Sequence, residues 1–194
     1  MICLKSTLCL SAVALSAVFA FALGPVAQEE GLPTPTTEHG KILAGVGDWE
    51  GSITIFDMPG VKPEPVPAKE KITGIGEFWV VSDFHSEFMG MPYHGSGHVG
   101  YDPEKKKYIG TWVDSMSSYF AVMEGDYDAS KKALVMRWQA PDMTGQMAAH
   151  RTESTENGDT RTMTFFMGEG EGNKTMVIEM KRKGRSAAEA GAKK

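Results

Sequence analysis

Cysteine is nearly missing from this chain: only Cys3 and Cys9 occur, both near its N-terminus. Two thiols cannot build a disulfide-stapled scaffold, so stability has to come from a packed core. An excess of positive charge is also missing. Lys and Arg number 20 against 25 Asp and Glu, a net charge of −5, which gives no general reason to expect nucleic-acid binding. Long helical patterns are scarce. Over His39 to Val46 the residues Ile42, Leu43 and Val46 fall close to helical spacing, and no run of a dozen residues after it carries that period. The chain has no Gly-x-Ser-x-Gly elbow and no His-Glu-x-x-His helix, so no nucleophile constellation emerges and no catalytic residue is assigned. Asp126-x-Asp128-x-Ser130 lacks the Gly and the distal Glu of a calcium loop.

What is present begins with an apolar run. Lys5 gives a basic start, and Leu8 to Leu23 is apolar apart from Ser11 and Ser16. Small residues and Gly24-Pro25 follow, the pattern of a secretory signal peptide rather than a membrane anchor, which needs about 20 apolar residues. Residues 1–27 are therefore expected to be removed, with cleavage after Ala22 or Ala27, and the mature chain to be exported to the periplasm or beyond. It would then have no cysteine and no transmembrane segment. Residues 28–38, with Pro33 and Pro35, read as a flexible leader. Beyond Arg182 the chain holds no apolar side chain larger than alanine, so 183–194 reads as a disordered tail. Lys181 to Lys194 carries six basic residues against one acidic, leaving 13 basic against 24 acidic in Gln28 to Met180. The net charge thus conceals an acidic domain with a basic tail, which could touch an anionic surface weakly.

Between 39 and 182 the pattern is one of short alternating segments. Trp49, Ile53 and Ile55 alternate with Glu50, Ser52 and Thr54; Leu134, Met136 and Trp138 alternate with Arg137 and Gln139. Met163, Phe165 and Met167 alternate with threonines, and Met176, Ile178 and Met180 with Thr175, Glu179 and Lys181. A period of two puts each apolar set on one face of a strand. Turn chemistry separates the segments: Asp57-Met58-Pro59-Gly60, Asp102-Pro103-Glu104-Lys105, Asp126 to Ser130, Asp142 to Gly145, Asn157-Gly158-Asp159, and the loop from Gly168 to Asn173. Val61 to Pro67 holds three prolines and reads as a long exposed loop. The expectation is an all-β sandwich or barrel of eight to ten antiparallel strands.

Several motifs carry a family resemblance. Gly47-Asp48-Trp49-Glu50-Gly51 opens the first strand pattern. Met89-Gly90-Met91-Pro92-Tyr93-His94-Gly95-Ser96-Gly97-His98-Val99-Gly100-Tyr101-Asp102 follows, then Lys106 to Met116 with its Trp112-Val113-Asp114-Ser115-Met116, and Glu124-Gly125. This ordered set resembles the bacterial domain of unknown function family 1579 over His39 to Arg182. The resemblance implies a lipocalin-like antiparallel β-barrel and supplies no established activity, hence no catalytic residues to carry over. The Pro-rich loop at Val61–Pro67 and the basic tail depart from the family's usual pattern.

Candidate site residues are few. His94 and His98 are four apart and share a strand face, about 13 Å apart at the usual rise, too far for easy chelation of one ion. The glycines at 95, 97 and 100 read as barrel bends rather than as a phosphate loop, since no helix follows them. Asp114 shares parity with Trp112 and reads as a turn cap, or as an inward carboxylate needing a partner such as Arg151. Arg137 and Arg151 are taken as the strand-embedded arginines, each exposed. The methionines, 13 in all, suit a flexible core or an adaptable apolar cavity. The favoured reading is a non-enzymatic barrel that binds a small apolar ligand through Trp49, Trp79 and Trp112, with His94, His98 and Asp114 orienting it. No cofactor or metal is assigned on that reading. The alternatives are haem or metal held by one of His85, His94 or His98, and a structural or interaction module of the cell envelope.

Overall fold

The computed structural model describes residues 32–56, 60, 62–142, 144–168 and 172–184. The expected signal peptide, most of the leader, Asp57 to Pro59 and most of the tail lie outside the described residues. The chain divides into two units, Met1–Pro33 and Thr34–Lys194, and the fold belongs to the second. Its elements are α1 (Thr37–Leu43), β1 (Gly47–Ile55), β2 (Val66–Ile75), β3 (Trp79–Phe88), β4 (Met91–Asp102) and β5 (Lys107–Asp114). β6 (Ser117–Asp128), β7 (Ala133–Pro141), β8 (Met147–Asn157), β9 (Thr160–Met167) and β10 (Asn173–Arg182) complete it. Every strand pairs antiparallel with its sequence neighbours, and β1 pairs with β10, so ten strands close into one up-and-down barrel. Closure leaves no unpaired sheet edge to protect.

The alternation read from the sequence fixes what faces inward. Trp49 and Ile53 of β1 are buried while Glu50 is exposed. Leu134, Met136 and Trp138 of β7, Met163 and Phe165 of β9, and Met176 and Ile178 of β10 line the interior. Acidic side chains shape the turns as expected: Asp102 Oδ1 accepts the Glu104 and Lys105 amides, and Asp128 Oδ1 those of Ser130 and Lys131. Gly158, with φ of 59°, occupies the left-handed position of the β8–β9 turn.

Two expectations need adjustment. Residues 62–65 are exposed and outside any strand, but Val66 and Pro67 open β2, with Pro67 opposite Ser52 of β1. A proline this near a strand's start removes only one ladder donor, so the strand tolerates it. The short helix, expected over His39 to Val46, starts at Thr37, two residues inside the stretch read as leader, and ends at Leu43. His39 sets its start: Nδ1 accepts the Thr36 amide at 3.0 Å, and the buried ring meets Phe78 and Tyr101 edge-on. Among the described residues no helix is long and apolar enough to cross a membrane.

The helix defines one end of the barrel. Ile42 packs into the core with Trp49 and Ile72. Lys41 lies over the Tyr127 ring at 4.3 Å and bonds Glu38, which also accepts the Tyr108 hydroxyl. The opposite end holds the last residues of β1, β3, β5, β7 and β9.

Candidate functional site: the barrel cavity

The barrel encloses a cavity of about 1050 Å³. Its wall is mainly apolar: Ile53, Ile72, Val80, Phe84, Met123, Met136, Met163 and Phe165 all contribute. Wells of this size and lining hold small organic molecules elsewhere, with a few polar groups fixing orientation. Four of the chain's methionines, Met123, Met136, Met163 and Met176, face it from four different strands.

Polar groups gather toward the helix end. Glu70 of β2 and Arg161 of β9 are both buried and form an ion pair across the barrel, with Ser82 Oγ donating to Glu70 Oε1 at 2.5 Å. Burial, with Arg182 adding to it, pulls the Arg161 pKa down to about 10, which leaves it charged at neutral pH. Arg182 donates to the Val46 and Ala44 carbonyls at 2.5 and 2.8 Å and pairs with Glu156 at 3.0 Å. Burial raises the Glu156 pKa, and Arg182 opposes that rise. The guanidinium groups of Arg161 and Arg182 lie 4.9 and 4.2 Å from the centroid of the Trp49 ring, whose Nε1 donates to the Gly45 carbonyl at 2.9 Å. Here each charge is met by a partner, as burial requires.

The far end is built from aromatic side chains. Trp112 donates from Nε1 to the Tyr93 hydroxyl at 3.3 Å, and Phe84 meets both rings edge-on. Burial, reinforced by Asp114, pushes the Tyr93 phenol up to about 12. Trp138 stacks on the His150 ring at 5.3 Å. The Nε2 atom of His150 is buried with no hydrogen-bond partner, and burial holds its pKa below the usual histidine value.

The six residues singled out from the sequence separate into distinct places. Trp112 lines the cavity; Trp49 packs beneath it, among the arginines. Asp114 Oδ1 accepts the Met116 amide at 2.8 Å, which is the turn-capping geometry, and the carboxylate lies beside Tyr93 rather than Arg151. Arg151 instead pairs with Glu153 and lies over Phe166. Trp79, His94 and His98 stand on the outer wall, away from the cavity. The reason is the glycine pair in β4. A Cβ at Gly95 would lie 2.2 Å from Trp112 Cζ2, and one at Gly97 2.6 Å from Trp112 Cε3. The Trp112 ring lies flat on these glycines, so the odd-numbered residues of β4 face inward and both histidines face out. Trp79 covers Gly100 in the same way from outside. The glycines expected to bend the barrel therefore serve as beds for indole rings.

Glu70 and Arg161 escaped the sequence reading, although each carried a signal. Glu70 has the parity of Ala68 and Ile72, and Arg161 that of Met163 and Phe165. Opposite charges on two apolar faces point to a buried pair. Arg137 is exposed as expected, whereas the Arg151 side chain is only 13% exposed, and Arg161 and Arg182 also lie in strands.

A ten-stranded antiparallel meander closed around an apolar well defines the class of small ligand-sized β-barrels. Within that class the chain belongs to a family described as protein of unknown function (DUF1579), whose model matches residues 34–183. A crystal structure of Rv2717c from M. tuberculosis has a similar fold, with a TM-score of 0.58 and 10% identity. The likeness covers 78% of this chain and 100% of that one. A hydroxyacylglutathione hydrolase of Aliivibrio fischeri (strain MJ11) is 26% identical over 115 residues, 59% of this chain. The match spans 45% of the length of that curated relative.

Proposed function

We propose that this protein is a non-enzymatic carrier or sensor that binds one small, largely apolar molecule inside the barrel. The cavity carries this reading: about 1050 Å³ of mainly apolar volume is more space than a packed core leaves empty. Methionine walls support it as well, because thioether side chains adapt to irregular ligands. The ligand's body would lie against Met123, Met136, Met163 and Phe165, under Trp112. Its polar end would meet Ser82, Thr152 or Ser154, which line the same well beside the Glu70–Arg161 pair. Asp114 and Tyr93 would bound the site at the far end. Export, supported by the apolar run at 8–23, would place the carrier outside the cytoplasm.

The test uses anilinonaphthalene sulfonate, a fluorophore with an apolar aromatic body and one anionic sulfonate, titrated into the full chain and into Ala121→Phe. Ala121 faces the cavity beside Trp112, so a phenyl ring there occupies binding space. One fluorophore per chain is expected for the wild type, with affinity at least tenfold weaker in the variant at unchanged melting temperature. Equal binding by both proteins would refute the cavity as the site.

A further inference from the structure

The outer wall of the barrel carries a second cluster, separate from the cavity. His85 of β3 and His94 of β4 are direct cross-strand partners, and their rings stack at 4.4 Å with planes 6° apart. Asp83 stands two residues before His85 on the same face. Its Oδ1 lies 3.1 Å from His85 Nε2 and 2.7 Å from His94 Nε2. One ligand atom from each of the three residues lies within 4.8 Å of the other two. The geometry points to a transition-metal site here: Asp83, His85 and His94 hold one divalent ion of the zinc class, with a remaining position left to water.

The physical argument rests on spacing and ligand type. Four ligands at 2.0–2.1 Å around a tetrahedral ion are about 3.3 Å apart, close to the two separations observed. Directly opposed residues on antiparallel strands have Cβ atoms about 5 Å apart, so two imidazoles reach one ion without moving the backbone. Two nitrogens and one carboxylate suit zinc, copper or nickel and not magnesium or calcium, which take oxygen ligands. Without metal, Asp83 Oδ1 faces both Nε2 atoms, and an ion there takes the place of the protons they share. The two imidazoles are already stacked side by side on facing strands. His98, opposite Val81, is not part of the set. The distance that argued against chelation by His94 and His98 within one strand does not apply across two strands.

Charged and polar neighbours flank the site. Lys69 and Lys71 of β2 stand opposite His85 and Asp83, Glu87 follows on β3, and Ser96 and His98 lie along β4.

Calorimetric titration of zinc alone into the full chain at pH 7.5 tests the assignment, alongside His85→Ala, His94→Ala, Asp83→Asn and His98→Ala. All four positions are exposed, so melting temperatures should match the wild type. The expected result is one zinc bound, with affinity at least about tenfold weaker in the first three variants and unchanged in His98→Ala. Zinc-induced shifts confined to the His85 and His94 ring resonances in NMR spectra would agree. No zinc binding, binding indifferent to His85→Ala and His94→Ala, wild-type affinity in Asp83→Asn, or equal weakening by His98→Ala would each overturn it.

Discussion

The two ends of the barrel solve the problem of burial in opposite ways. At the helix end, polar groups are paired: buried Glu70 with Arg161 and Ser82, Glu156 at the exposed rim with Arg182, and the Tyr108 hydroxyl with Glu38. Trp49 packs against two guanidinium groups there. At the far end, aromatic rings sit against one another, and half-buried His150 keeps a buried, unpartnered Nε2. Apolar side chains are exposed around that far end, among them Met89, Met91, Met116 and Met147. A single meander thus keeps a hydrogen-bonded, ion-paired base and an apolar, aromatic upper wall. The cavity lies between the two.

The comparison can be broken from the helix end with the largest effect. Arg161→Met leaves Glu70 as a buried charge without its ion partner, and should destabilise by about 3–5 kcal/mol in denaturant unfolding. Replacing both partners with Met and Leu should recover most of that loss, because the cost lies in the orphaned charge. A single variant as stable as the wild type would contradict the bonded base. The middle of the barrel responds next. Gly97→Val drives a side chain into Trp112, and a loss of about 1–3 kcal/mol is expected, with Trp112 fluorescence altered. At the far end the expected effect is a change of pH response. Burial depresses the His150 pKa, so as pH falls below 6.5 the unfolded chain takes up the proton before the folded one. Stability contributed by neutral His150 is present above that pH and is lost as pH falls through the lowered folded value. His150→Phe should make the decline in melting temperature between pH 7 and pH 5 shallower; an identical slope would remove His150 from the account. Smallest of all, Met116→Ser and Met147→Gln should shift stability by no more than about 0.5 kcal/mol.

Much of this fold was legible in residue alternation. The sets Trp49-Ile53-Ile55, Leu134-Met136-Trp138 and Met176-Ile178-Met180 each fall on the buried side, because an apolar stripe of period two has one low-energy orientation. β4 defeated the same logic. Its two faces offer Tyr93, Gly95, Gly97 and Val99 against His94, Ser96, His98 and Gly100, and neither is an apolar stripe. What decides is a residue on the next strand, Trp112, whose ring needs the bare backbone of two glycines. The Glu70–Arg161 pair and the Asp83–His85–His94 cluster were hidden for a related reason. Register between strands brings those residues together, and a single sequence does not state its register.

On the proposed function, the cavity, and not the exposed apolar rim, receives the ligand. Methionine ε-methyl NMR during titration with anilinonaphthalene sulfonate separates the two directly. Shifts are expected at Met123, Met136, Met163 and Met176, with Met89, Met91, Met116 and Met147 unmoved. Shifts confined to the second set would contradict it.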